Sequence, residues 1–458
     1  MKVHRAIIKL AATLLEHGAR AFIVGGYVRD HFLNIESKDI DIEVYGVSSL
    51  DLLKSALEDL TPVHEVGKSF GVLKISLEGY DIDISLPRTE VKTGKGHKGF
   101  HVQTNAYLDY TAAAKRRDFT MNSIGYDIKT RIYLDPYNGR NDIEEGVIRH
   151  VNDNSFCEDP LRILRAVQFS ARFNFKLHAN TLKLCQNMVK DNLLDELPKE
   201  RIFEEYKKLL LKAHRPSLGF KLLDELGALP PELKALQGVP QDKIYHPEGD
   251  VWIHTMMSLD AMSTLKTGDN KKDIILLLAI LCHDLGKVQA TKTVKGKISS
   301  IGHENILEPS LSFITRLSDE KALIEEISPL IKEHLMPSQL YTQQVKDSAI
   351  RRLSTRVNIE NLVILARADH LGRTTKEAEK KIYPAGDWLL KKAQSLSVQN
   401  KKPQAILLGR HLIDKGMQPG PQFKDILKEA YEEQLEGKIK DETNAKAWLN
   451  TYLNQVSD

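Results

Sequence analysis

The chain has 458 residues, with 65 Lys and Arg against 62 Asp and Glu and a hydrophobic content of 41%. At ~150 residues per domain this length exceeds a single core and suggests about three domains, and the composition excludes disordered and collagenous classes. A net charge of +3 gives no global electrostatic case for a nucleic-acid partner, so local clusters must make it. Cys157, Cys185 and Cys282 lie far apart in no CxxC spacing, which argues against a disulfide framework or zinc knuckle and for a reducing, cytoplasmic compartment. The first residues are too polar for a signal peptide, and no run approaches the ~20 apolar residues of a membrane span.

Residues 1–145 alternate strand and helix signals. Ala21-Phe22-Ile23-Val24 reads as a short buried strand, Gly25 and Gly26 as a tight turn with close backbone approach, and a helix opens at about Tyr27 with its N–H groups aimed at an anion. Asp39-Ile40-Asp41 follows. Side chains alternate along a strand, so the two carboxylates point the same way and offer the few hard oxygen ligands that a catalytic Mg²⁺ takes. Stretches 71–77 and 80–86 alternate as a hairpin about Glu78-Gly79, which places Asp81, Asp83 and Ser85 on one face. A two-metal site requires a third carboxylate on a neighbouring strand, and Asp83 is the candidate; the plain alternative is a solvent-face residue beside Asp81. Between Arg88 and Arg117 the chain turns basic and glycine-rich (Lys92, Lys95, Lys98, with Gly94, Gly96 and Gly99); composition alone fits a solvated loop, while its place beside the metal strands and ahead of Arg116-Arg117 favours a phosphate-seeking one.

Val24-Gly25-Gly26-Tyr27-Val28-Arg29-Asp30 with Lys38-Asp39-Ile40-Asp41 resembles the head of the class II tRNA nucleotidyltransferases, the CCA-adding enzymes, which bacterial poly(A) polymerases share. The resemblance implies a small polymerase-β-like α/β head in an α+β chain, with Asp39, Asp41 and Asp83 catalytic and Gly25, Gly26 and Arg29 at the nucleotide. Arg116-Arg117-Asp118-Phe119-Thr120-Met121-Asn122 resembles the family's second motif, whose arginines and Asn122 surround triphosphate and ribose. Adjacent arginines suit leaving pyrophosphate because each offers forked donors. Asp135-Pro136-Tyr137-Asn138-Gly139 through Asp142 resembles a motif thought to hinge head to neck.

From about residue 155 the periodicity is helical almost without interruption. A helix is expected from Glu158, with Asp159 and Arg162 three apart on one face; the plain alternative is a surface ion pair. C and A both show an amino donor beside a ring-nitrogen acceptor, so a carboxylate and an arginine fit that edge and are left unsatisfied by U or G. Glu158, Asp159 and Arg162 match the family's EDxxR motif, and Arg165 is expected at the nucleotide. Gln168 stands where the usual continuation has a third arginine.

The stretch 236–249, with Pro240 and Pro247, is the expected boundary between neck and second module. Beyond it, His254, His283-Asp284 and Asp369 offer imidazole and carboxylate ligands for a divalent metal. With His246-Pro247-Glu248 before them and His303 and His334 after, they resemble the HD superfamily of metal-dependent phosphohydrolases. His303 and His334 fall where two-metal members carry extra ligands. Some bacterial CCA-adding enzymes bear such a module and poly(A) polymerases generally do not, so its presence favours tRNA.

The expected organisation is a head (1–145), a nucleotide- and RNA-binding helical neck (146–240), an HD domain (241–375) and a helical tail (376–458). The expected activity is template-independent building and repair of the tRNA 3′-CCA end from CTP and ATP, with Mg²⁺ at the head and a second divalent metal at the HD site. No membrane and no stable protein partner are implied. The rival readings are a poly(A) polymerase or A-adding enzyme, and a degenerate RNA-binding head serving an HD hydrolase.

Overall fold

In the computed structural model, which describes residues 1–58, 60–66, 71–92 and 100–456, the chain divides into two compact units, Met1–Leu229 and Pro230–Asp458. The class is α+β, with the large sheet confined to the first unit and helices dominating the second.

Nine strands matter to the first unit: β1 (Arg20–Val24), β2 (Asp39–Tyr45), β3 (His64–Val66), β4 (Val72–Leu77), β5 (Tyr80–Ser85), β6 (Arg88–Lys92), β7 (Phe100–Thr104), β8 (Gly125–Asp127) and β9 (Ile132–Leu134). Seven form one sheet in the order β3-β4-β5-β2-β1-β8-β9, and β6 pairs with β7 as a separate hairpin. The expected β4–β5 hairpin is present. Glu78 and Gly79 both have positive φ (49° and 83°), the requirement of a two-residue turn that matches strand twist. β2 runs parallel to β5, and its register sets Asp39 opposite Asp81 and Asp41 opposite Asp83. Ile40, Ile42, Ile82 and Ile84 enter the core, so period 2 leaves the acids on the other face. The glycine-rich residues 93–99, with Lys95 and Lys98, lie outside the described residues.

The expected helix from Glu158 is corrected. One helix ends at Glu158 (Asp153–Glu158) and the next spans Leu161–Phe173. Asp159 between them is extended (φ −120°, ψ 100°) because it precedes Pro160, whose ring disfavours helical geometry at the residue before it. Asp159 and Arg162 therefore do not share a helix face. The Leu161–Phe173 helix packs against Lys199–Lys212 and Ser217–Glu225.

In the second unit, helices Val251–Thr264, Asn270–Cys282, Lys321–Glu333 and Ile359–Leu371 pack on one another. Every residue from Asp273 to Cys282 is buried, so the Asn270–Cys282 helix is apolar all round and central. One interruption escaped the helical periodicity, a hairpin pairing Lys292–Val294 with Lys297–Ser299. Its signal was Lys295-Gly296, both at positive φ. Leu407, Leu412, Ile426, Ala430 and Leu449 form a separate core in the C-terminal helices. No helix among the described residues is long and apolar enough to cross a membrane.

Candidate active sites

The first site begins at the turn after β1. Gly25 has φ +71°, and a Cβ there would lie 3.0 Å from Asp41 Oδ2 and 3.3 Å from Arg117 Nη1. Only glycine combines that dihedral with that approach. The Gly26–Phe32 helix opens one residue earlier than expected. Solvent touches Asp41, yet the cleft strips much of its hydration. Burial first, then the charges of Asp83, Glu43 and Asp39, push its carboxyl above the usual range against the pull of Arg117. Asp83 meets Lys74 Nζ at 3.2 Å. Asp39, Asp41, Asp81 and Asp83 line one cavity of 590 Å³. This acceptor-only set, in which one member resists ionisation without a cation, fits a hard divalent ion.

Asp41 also lines a neighbouring cavity of 460 Å³ with Gly25, Gly26, Arg29, Arg116, Arg117, Asp118, Asn122, Asp159, Arg162 and Arg165. The structure thus brings together at one cavity every nucleotide-site residue expected from the sequence. Their individual contacts differ. Glu43, 1% exposed, accepts from Arg116 Nη2 (2.6 Å) and Arg117 Nη2 (3.2 Å) on one oxygen and from the Tyr45 hydroxyl (3.0 Å) on the other. Burial opposes its ionisation, but Arg117 and Arg116 hold it below the usual range. Arg29 donates to Asn122 Oδ1 (2.7 Å) and Asp30, and lies 5.0 Å from the rings of Phe169 and Phe173. Asn122 donates to Asp118 Oδ1 (2.9 Å), and Arg165 Nε donates to Asp118 Oδ2 (2.7 Å). Burial would raise Asp118, yet Arg165 and Asn122 bring it down to about 2. A buried chain Asp30–Arg29–Asn122–Asp118–Arg165 therefore ties the glycine turn to the neck helix.

Asp159 accepts from Arg201 Nη2 (3.1 Å) and from Leu161 N (3.2 Å). Arg162 donates to Ser155 O (2.7 Å) and Arg116 O (2.6 Å). Sequence reasoning passed over Glu43 and, while placing Arg201 in the nucleotide-holding neck, did not pair it with Asp159. Glu43 was visible as the next same-face acid after Asp39 and Asp41; the pairing of Arg201 gave no signal, because its proximity to Asp159 arises only from helix packing. Gln168 is buried, and its Oε1 has no hydrogen-bond partner among the described residues.

The second site lies where the four central helices of the second unit meet. His254, His283, Asp284, His303, His334 and Asp369 are all buried. His283, His303 and His334 each direct Nδ1 at the carbonyl three residues earlier, Ile280 O (2.7 Å), Ser300 O (2.7 Å) and Ile331 O (2.6 Å). That pattern places a proton on Nδ1 and leaves each Nε2 as the nitrogen that would ligate a metal once deprotonated. Burial, then His283 and His303, push His334 down to about 3, so its ring is neutral. Burial opposes the charge on Asp284, but His283 and Lys287 hold its carboxyl well below the usual range.

These nitrogens and carboxylates face one another. His283 Nε2 is 3.2 Å from Asp284 Oδ2, His303 Nε2 is 3.1 Å from Asp284 Oδ1 and 3.3 Å from His334 Nε2, and His254 Nε2 is 3.0 Å from Asp369 Oδ1. With ~2.0–2.1 Å metal–ligand bonds, adjacent ligands stand about 2.9–3.4 Å apart, so the donor set fits metal ions. The ligand atoms form two groups that share Asp284: His254 with His283, and His303 with His334. Around them, Glu248 Oε1 holds His254 Nδ1 (2.8 Å) and His246 Nδ1 (2.9 Å), Arg373 pairs with Asp369 (2.9 Å), and Lys287 Nζ reaches Asp284 (2.7 Å). Gly286 admits the His303 turn: a Cβ there would lie 2.1 Å from His303 O.

Three family models match this chain: the poly A polymerase head domain over 21–149, the probable RNA and SrmB-binding site of polymerase A over 174–237, and the HD domain over 251–374. The multifunctional CCA protein of Psychromonas ingrahamii is 33% identical over 427 residues, 89% of this chain and 96% of that protein. The protein of the same name from Pasteurella multocida is 33% identical over 393 residues, 82% and 89% of the two chains. The fold is similar to that of the Bacillus stearothermophilus CCA-adding enzyme in complex with CTP, at 22% identity and a TM-score of 0.70, covering 100% of this chain and 99% of the other. Over nearly its whole length, through head, RNA-binding and HD segments in that order, the chain belongs to the family of the multifunctional CCA proteins.

Proposed function

We propose that the chain adds and repairs the 3′-terminal CCA of tRNA, without a template, from CTP and ATP. The observation that carries this reading is Asp41, which lies in register with Asp83 and lines both the carboxylate cavity and the arginine-lined one. Asp39 and Asp41, with Asp83 beside them, would hold Mg²⁺, which screens the triphosphate and favours ionisation of the attacking hydroxyl. The tRNA 3′-oxygen attacks the α-phosphorus, the α–β bridging bond breaks and pyrophosphate leaves. Arg116 and Arg117, set by Glu43, neutralise the departing charge. Gly25 and Gly26 let the backbone approach the phosphates, while Arg29, Asn122, Asp118 and Arg165 fix the cavity between turn and neck. Asp159 and Arg162 read the base edge, Asp159 in the orientation that Arg201 gives it.

At the HD site, His254, His283, Asp284 and Asp369 would hold one divalent ion and Asp284, His303 and His334 a second. Bound there, divalent ions would supply the acidification of a water that phosphate-ester hydrolysis requires. Esters at RNA ends, such as 2′,3′-cyclic phosphates, suit an enzyme that must clear a blocked terminus before adding to it. The four-part organisation into head, neck, HD domain and tail, and a reducing, cytoplasmic setting for the three free cysteines, belong to the same reading.

Purified protein given tRNA ending at the discriminator base tests the main activity. Incorporation of C from CTP alone, and of A only after C, is the expected result. Incorporation of A without C would make the chain an A-adding enzyme.

A further inference from the structure

The cavity at the HD site measures 370 Å³, and its lining sets charged side chains (Asp284, Asp369, Lys287 and Arg373) among polar ones and the large apolar side chains of Tyr245, Ile298 and Ile301. Tyr245 is 63% exposed and Ile301 91%. Large apolar side chains left in water beside an ionic cluster favour a ligand that covers them. The ligands and cations act on a phosphate alone and need no aromatic ring. A ring is useful only when the ester's alcohol carries a flat face.

Tyr245 also belongs to a segment with other duties at this site. Gln241 Oε1 accepts from Lys287 Nζ at 2.8 Å, and Glu248 orients His254. All three residues precede the HD-matching region, which begins at residue 251. The cavity volume lies near the low end of the ~300–1,000 Å³ typical of small-molecule sites, room for one nucleotide and not for a duplex.

Resting on the phosphohydrolase reading above, we propose that Tyr245 and Ile301 bind the base of a nucleotide whose phosphate ester lies at the Asp284 cluster. The segment 241–248 thereby sets the choice of ester. A base stacked on an aromatic side chain changes affinity by about tenfold or more.

The test compares adenosine 2′,3′-cyclic phosphate with glycerol 1,2-cyclic phosphate, which has the same reactive ring and no base. The full chain is assayed with Mg²⁺, Mn²⁺ and Ni²⁺ in turn. The expected result is a preference for the adenosine ester that falls about tenfold in Tyr245→Ala, chiefly through KM, and survives in Tyr245→Phe. Ile301→Ser should lower it by a smaller factor. Equal preference for both esters in the unaltered chain, or an unchanged ratio in Tyr245→Ala, overturns the base-binding role while leaving the hydrolase reading intact. Hydrolysis of neither ester by the unaltered chain with any of the metals removes the hydrolase reading, and this inference with it.

Discussion

The two sites of this chain treat charge in opposite ways. In the head, Asp39 and Asp41 stand at the open face of a sheet, and two of the cations beside them, Arg116 and Arg117, share one buried carboxylate, Glu43. In the second unit the candidate ligands are buried, and three imidazoles have their tautomer set by backbone carbonyls. A site whose ions arrive with the nucleotide and whose product leaves as an anion needs solvent access. A site with a resident metal needs fixed, desolvated ligands. On the proposed reading, the difference would separate a centre assembled with each substrate from one completed before any substrate arrives.

The largest effects should come from the ligands themselves. Asp39→Ala with Asp41→Ala should lower nucleotide incorporation by roughly 10³-fold or more while ester hydrolysis persists. Asp284→Ala should do the reverse and remove bound metal, since sites on separate units act independently. Incorporation and hydrolysis measured on the same preparations decide this, and joint loss in either variant would break the comparison. Metal content sharpens it: after gel filtration without added metal, elemental analysis should find metal retained in the unaltered chain and absent from Asp284→Ala.

Glu43→Gln comes next. It leaves Arg116 and Arg117 without their shared counter-charge, an expected loss of about 3 kcal/mol in the head unit's stability and about a tenfold rise in KM for CTP and ATP. Denaturant unfolding and steady-state kinetics check it. A shifted Mg²⁺ requirement with unchanged nucleotide KM would instead make Glu43 a metal ligand.

Asp118 offers a comparable effect with a defined pH signature. Its folded carboxyl, at about 2, lies below the unfolded value of ~3.9. Its contribution of about 2–3 kcal/mol is therefore fully present above pH ~4 and lost as pH falls toward 2. Asp118→Asn should flatten the acid limb of head-unit stability, followed by unfolding between pH 6 and 3. The smallest expected effect is on selectivity. Asp159→Ala or Arg162→Ala should relax discrimination against UTP and GTP by about tenfold, and loss of all four nucleotides in equal ratio would leave the pair a structural role.

Much of this was legible because local rules were enough. Period 2 put Asp39 and Asp41 on one face of their strand and Asp81 and Asp83 on one face of theirs, and the Glu78-Gly79 turn fixed the β4–β5 register; the meeting of Asp41 with Asp83 and the HD cluster were anticipated through resemblance to known families. What stayed hidden depended on distance in sequence. Asp159 with Arg201, Arg29 against the rings of Phe169 and Phe173, and Lys287 on Gln241 are all made by packing of separate elements. The helix expected through Asp159 is broken for a local reason, the proline after it, whose ring disfavours helical geometry at the residue before.

The missing methyl at Gly286 bears on how many ions the second unit can hold. His303 O passes so close that an alanine's extra carbon would have to displace the whole His303 turn. On the two-ion reading proposed above, Gly286→Ala alters no donor atom, yet should evict the ion at His303 and His334 and retain the one at His254, His283, Asp284 and Asp369, so that elemental analysis finds one metal per chain where the unaltered chain holds two.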